Sequence, residues 1–119
     1  MTIFGRVIRG AGYGKKIGFP TLNLDRRNFL KLDNKPRFGV YCGVATLSGR
    51  NYKAGIIIGP LDEKGLPKVE AHLLGLSGDA YGKKVVIEMG KFIRKFKRFK
   101  DEKALISQIK KDMAFVAKQ

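Results

Sequence analysis

A chain of 119 residues has the length of one domain. With 44% hydrophobic residues it can fill a modest core without covalent staples, and its single cysteine, Cys42, excludes a disulfide framework. Its 25 Lys and Arg outnumber 10 Asp and Glu, a net charge of +15 that draws polyanions without choosing among nucleic acid, nucleotides and other phosphorylated ligands. No run approaches the ~20 apolar residues of a membrane span. Met1 to Arg9 carries charge early and lacks the apolar segment of a secretory leader. The expectation is a soluble, cytoplasmic, monomeric protein with no membrane partner.

Taken in chain order, the first ninety residues alternate apolar and polar positions with the period of strands. An opening strand is predicted near residues 3–9, and 39–47 (GVYCGVATL) is rich in β-formers. Residues 52–58 end in three isoleucines. Over 68–76, Val69, Ala71 and Leu73 alternate with Glu70, His72 and Leu74. In 84–89, Val85, Ile87 and Met89 oppose Val86 and Glu88. Five or six short strands separated by Gly- and Pro-containing turns predict an all-β, small closed antiparallel barrel of about six strands with Greek-key-like connections, over about residues 1–99. The period then changes: Leu105, Ile109, Met113 and Val116 form a helical stripe, with Asp101 placed to cap a C-terminal α-helix over about 101–118. No internal boundary is visible, so 1–119 reads as a single domain. The charge-dense stretch 91–103 is interrupted by Phe92, Ile93, Phe96 and Phe99, which predicts order.

Three features suit chemistry. In Gly10-Ala-Gly-Tyr-Gly-Lys-Lys-Ile-Gly18 the glycines Gly12, Gly14 and Gly18 let backbone amides approach an anion closely, and Lys15 and Lys16 follow at once. The Lys-Ser/Thr ending of a Walker loop is missing, and by itself such a segment is equally a surface turn. In Phe19-Pro20-Thr21-Leu22-Asn23, Thr21 and Asn23 are two apart, so in an extended chain both oxygens face one side. Hydroxyl and amide oxygens suit Mg²⁺, which shares phosphate and water ligands; they also suit a simple turn. Glu70 is a carboxylate on an otherwise apolar strand, able to take the proton of a substrate hydroxyl or to pair with a lysine. His72 shares its face and is expected to pack beside Glu70 or bond to it. As the lone histidine it cannot join a histidine cluster. Cys42 reads as a buried small hydrophobe.

Read in order, these pieces resemble the riboflavin kinase family, including the kinase module of bifunctional riboflavin kinase/FAD synthetases. The matching elements are Gly5-Arg6-Val7 with Gly10, Gly18-Phe19-Pro20-Thr21-Leu22-Asn23 and Gly39-Val40-Tyr41. They continue with Val69-Glu70-Ala71-His72-Leu73-Leu74, Gly78-Asp79-Ala80-Tyr81-Gly82-Lys83, Ile93-Arg94 with Phe99, and Leu105 to Asp112. The resemblance spans nearly the whole chain, and Pro-Thr-x-Asn is its most specific element. It implies transfer of the γ-phosphoryl of ATP, with Mg²⁺ or another divalent cation, to the ribityl 5′-hydroxyl of riboflavin, giving FMN and ADP. By analogy Gly12, Gly14, Lys15, Lys16, Gly18, Thr21 and Asn23 hold the nucleotide phosphates, Thr21 and Asn23 the metal, and Glu70 is the catalytic base. Tyr81, Gly82 and Arg94 are assigned to the flavin. The chain departs from the family pattern at Ile57, Gly75 and Phe96, where Asn, Asp and an acidic residue are common.

Two other readings stand beside this one. A basic barrel that binds nucleic acid is suggested by Lys91, Arg94, Lys95, Lys97, Arg98 and Lys100 among aromatics, a pattern that suits single strands although a solvated basic face is its default meaning. A flavin-binding relative without catalysis is suggested by the departures.

Overall fold

A computed structural model describes all residues, 1–119. Six strands, β1 (Thr2–Ile8), β2 (Leu22–Leu24), β3 (Gly39–Leu47), β4 (Arg50–Leu61), β5 (Pro67–Leu73) and β6 (Lys84–Arg94), close a barrel in the order β1-β2-β5-β4-β3-β6. Every pairing is antiparallel. Two four-residue helices, α1 (Tyr13–Lys16) and α2 (Arg27–Leu30), lie in the connections, and α3 (Glu102–Ala117) follows the barrel. The all-β barrel with a C-terminal helix is the architecture the periodicity implies. The sequence reading places neither short helix; each is too brief to leave a periodic signal.

Alternation sorts the strands into an inner and an outer face. Ile3 and Val7 of β1, Ala45 and Leu47 of β3, Ala54, Ile56 and Ile58 of β4, Val69, Ala71 and Leu73 of β5, and Val85 and Ile87 of β6 fill the interior. Phe29 of α2 joins them, almost wholly buried. β6 runs five residues past the predicted end, into the basic stretch. A bulge in its pairing with β3 accommodates the extra length, and Phe92 packs edge-on against Tyr41 at 5.1 Å.

The outer face of β4 carries α3. Gly55 leaves room there for Met113: a Cβ at Gly55 would lie 2.5 Å from the Met113 methyl carbon. Asp101 caps the helix as its sequence position implies, accepting from the Ala104 N–H at 2.8 Å. Burial of Cys42 agrees with its apolar setting, and its Sγ accepts the Lys91 N–H at 3.2 Å. No helix is long and apolar enough to cross a membrane.

Candidate active site

Strand register assembles the site. Ile8 pairs with Asn23, Asn23 with Glu70, Glu70 with Ile57, Ile57 with Val40, and Val40 with Arg94. These six residues form one row across all six strands, and cross-strand partners share a face. They alternate with interior residues such as Leu24, Val69, Ala71, Ile56 and Ile58, so the row lies on the outside of the barrel. All six line a single cavity of about 830 Å³. Its far wall is α3, through Leu105, Ile109 and Met113, and its roof includes the Gly10–Gly14 segment that ends in α1.

The row is chemically graded. Toward β2 it presents Asn23 and Glu70, and Thr21, two residues before Asn23, donates its hydroxyl to Glu70 Oε1 at 3.0 Å. Toward β3 it presents Ile57 and Val40, facing the apolar residues of α3. Glu70 therefore stands at the boundary between polar and apolar halves. His72 shares the outer face as expected, but its bond goes elsewhere. Its Nδ1–H donates to the Pro20 carbonyl at 2.6 Å and its ring packs edge-on against Phe19 at 5.7 Å, leaving Glu70 to Thr21. That pair of contacts fastens the Phe19-Pro20 turn to β5 and so fixes Thr21 beside Glu70.

Gly10 and Gly14 are small because neighbours crowd them. A Cβ at Gly10 would fall 2.1 Å from Asn23 Nδ2, and one at Gly14 only 2.4 Å from the Phe19 carbonyl oxygen. Gly12 begins α1 with a left-handed φ of 75°, a conformation that favours glycine. The segment thus lies directly over Asn23. Tyr13 extends the roof toward α3 by donating to Glu102 Oε1 at 3.0 Å, a bond that also raises the Tyr13 phenol pKa.

Other candidates are distributed less tightly. Lys15, Lys16 and Gly18 are exposed and do not line the cavity. Lys64, Lys68 and Lys97 do, and sequence reasoning missed the first two because only the β4–β5 hairpin folds them over the pocket. Tyr81 and Gly82 also lie outside the lining. Tyr81 is exposed with the Arg9 guanidinium 4.2 Å from its ring centroid, and the Gly82 carbonyl accepts from Arg6. Arg94 lines the cavity, yet its guanidinium is committed to Asp112 of α3, with Nε donating to both carboxylate oxygens at 3.1 and 2.9 Å. Asp112 is the buried charge of the chain and also accepts from Gln108 at 2.9 Å. Its partner could not be read from a helical stripe alone.

No group of three or more His, Cys, Asp or Glu residues is placed to hold a metal. A hydroxyl, an amide and one carboxylate are too few to cage a cation by themselves. They fit Mg²⁺, which takes most of its ligands from phosphate and water.

Comparison with known proteins identifies the family. Residues 1–119 match the family described as riboflavin kinase. The chain belongs to the riboflavin kinase family. Among curated members it is 36% identical to the RNA-binding riboflavin kinase of Bacillus subtilis, over all of this chain and 51% of that protein. It is also 36% identical to the bifunctional riboflavin kinase/FMN adenylyltransferase of the same organism, over 92% of this chain and 35% of that one. The chain therefore spans about half or less of the length of these relatives. Among solved structures, riboflavin kinase from Trypanosoma brucei superposes with a TM-score of 0.74 at 26% identity, covering 98% of this chain and 77% of that one. A Streptococcus pneumoniae chain described as a macrolide-efflux protein superposes at 0.86, also at 26% identity, over 99% of this chain and 38% of that one.

Proposed function

We propose that this riboflavin kinase family member moves the γ-phosphoryl group of ATP to the ribityl 5′-hydroxyl of riboflavin, acting as a cytoplasmic monomer. The observation that carries the reading is the position of Glu70, in register between Asn23 on one side and Ile57 on the other. A substrate with an apolar ring and a hydroxylated tail matches that gradient: the ring lies along Ile57, Val40 and α3, and the tail reaches Glu70. The 5′-oxygen attacks the γ-phosphorus, its proton passes to the Glu70 carboxylate, and the bond to the bridging oxygen of ADP breaks. The Thr21 hydroxyl orients that carboxylate before the reaction and is the natural neighbour of the nucleotide phosphates.

Thr21 and Asn23 would hold Mg²⁺, whose contribution is neutralisation of phosphate charge. Backbone amides of Gly10 to Gly14, with Lys64, Lys68 and Lys97, provide further positive potential around the triphosphate. Lys15 and Lys16 extend that field at the outer surface of the loop, where Gly18, with a φ of 92°, completes the turn. Arg94 serves the flavin half by positioning α3 through Asp112. Tyr81 acts at its periphery by way of Arg9, which does line the cavity, and Gly82 shapes the turn behind it through its bond from Arg6.

Chromatographic detection of FMN, with riboflavin, a divalent cation and either ATP or CTP, tests this assignment. Glu70→Gln should bind both substrates and lose about 10²- to 10⁴-fold in turnover, the usual contribution of a general base. Thr21→Ala should also be strongly impaired. Riboflavin binding without turnover by the wild type would replace the kinase with a non-catalytic flavin binder, and absence of both would reject the reading altogether.

A further inference from the structure

The charge of +15 is far more than a phosphate pocket requires, and the structure shows where much of it is uncommitted. Of 25 Lys and Arg side chains, only Arg9, Arg26, Arg27 and Arg94 stand in ion pairs with carboxylates. Residues 35–38 and 91–100, far apart in sequence, are brought together where the start of β3 pairs with the end of β6. A Cβ at Gly39 would lie 2.5 Å from both the Arg94 carbonyl oxygen and the Phe92 ring. Arg37 places its guanidinium 3.6 Å from the Phe92 ring centroid.

The surface so formed exposes Lys35, Arg37, Lys91, Lys95, Lys97 and Arg98, none facing a carboxylate partner. Two large aromatic side chains, Phe38 next to Arg37 in the chain and Phe96 between Lys95 and Lys97, are left 42% and 38% exposed, the Phe38 ring lying against Gly59 of β4. Unpaired cations alone describe a solvated face. Exposed phenyl rings near such cations offer flat, apolar faces on which bases can stack. Aromatic platforms interleaved with phosphate-seeking charge are the physical requirements for holding an unpaired strand, and a stacked guanidinium such as Arg37 adds a planar contact.

We propose that this surface, residues 35–38 with 91–100, binds single-stranded nucleic acid. Phosphates lie along the lysines and Arg98, and bases stack on Phe38 and Phe96. A duplex, its bases already stacked on one another, gains only the charge contribution. The surface borders the substrate cavity at Arg94, Phe96, Lys97 and Phe99, while Lys35, Arg37, Phe38, Lys91, Lys95 and Arg98 lie outside the lining.

Fluorescence anisotropy with labelled single-stranded RNA and DNA of about 20 nucleotides, the matching duplexes, and heparin tests this, with thermal melting as the check on folding. The triple variant Lys91→Ala/Lys95→Ala/Arg98→Ala is compared with Lys110→Ala/Lys111→Ala/Lys118→Ala, which removes the same charge from α3 and its end. The first should weaken single-strand binding at least ~10-fold in low salt and make the log–log salt slope shallower by about 2, at ~0.7 per lost phosphate contact. The second should bind nearly as wild type. Phe38→Ala should cost about 5-fold or more on single strands and nothing on heparin, and Phe38→Tyr should restore it. Equal weakening in the two triple variants would overturn the proposal, because net charge would then set the affinity. So would duplex bound as tightly as single strand, or a Phe38→Ala loss that heparin shares.

Discussion

Asp112→Ala removes the one carboxylate that ties α3 to the end of β6. Asp112 is 3% exposed and Arg94 17%, and their contact comprises two Nε bonds and a third approach, from the second terminal nitrogen, at 2.9 Å. Gln108 loses its acceptor at the same time. Breaking a buried pair by removing one partner costs about 3–5 kcal/mol, chiefly because the other charge stays behind without compensation. Arg94 keeps a bond to the Lys95 carbonyl at 3.2 Å and some access to water, which places the expected loss near the lower end, about 3 kcal/mol. For a chain of this size that corresponds to a fall in Tm on the order of 10 °C. Urea unfolding followed by circular dichroism should show the midpoint drop with the slope unchanged. Because α3 supplies Leu105, Ile109 and Met113 to the cavity, the KM for riboflavin should rise more than that for ATP. Replacing both partners, Arg94→Met with Asp112→Leu, should recover most of the stability. A loss below about 1 kcal/mol for Asp112→Ala would refute this account, since the pair would then behave as a screened surface bridge.

Gly10→Ala should displace the Asn23 side chain, whose Nδ2 lies 2.1 Å from the added carbon, and slow FMN formation about 10-fold or more with little change in Tm; an unaltered rate would remove Asn23 from the reaction. Gly55→Ala meets only the mobile tip of Met113, so its cost should be about 1 kcal/mol in urea unfolding, well below that of Asp112→Ala. Arg26 pairs with Asp62 and, with the Leu66 and Lys64 amides, holds its carboxyl below the usual range. A carboxyl lowered on folding stabilises the protein above its unfolded pKa of about 4, and that contribution disappears as pH falls through the folded value. Melting temperatures measured from neutral to strongly acidic pH should therefore decline less steeply in Asp62→Asn than in wild type, and parallel curves would show that the pair plays no part.

Sequence alone determined the class of fold, because period-two alternation of residues such as Val69, Ala71 and Leu73 dictates which side chains a strand buries, and the helical stripe from Leu105 to Val116 marks where that period ends. It also singled out Thr21, Asn23 and Glu70 as candidates: two residues two apart in an extended chain share a face, a spacing that suits a turn as well, and the family resemblance is what chose between the two meanings. What it did not contain was their convergence. Nearly fifty positions separate Asn23 from Glu70, and only the pairing of β2 with β5 sets them opposite each other. The same holds for Ile57, which looks like one of three interchangeable isoleucines until register shows that Ile56 and Ile58 point inward while Ile57 faces the cavity beside Glu70. Tertiary structure likewise decided that Arg94 binds Asp112, that His72 holds Pro20, and that Lys64 and Lys68, not Lys15 and Lys16, line the pocket. Local sequence fixes which face a side chain takes; strand order and the hairpins between strands fix what it meets there.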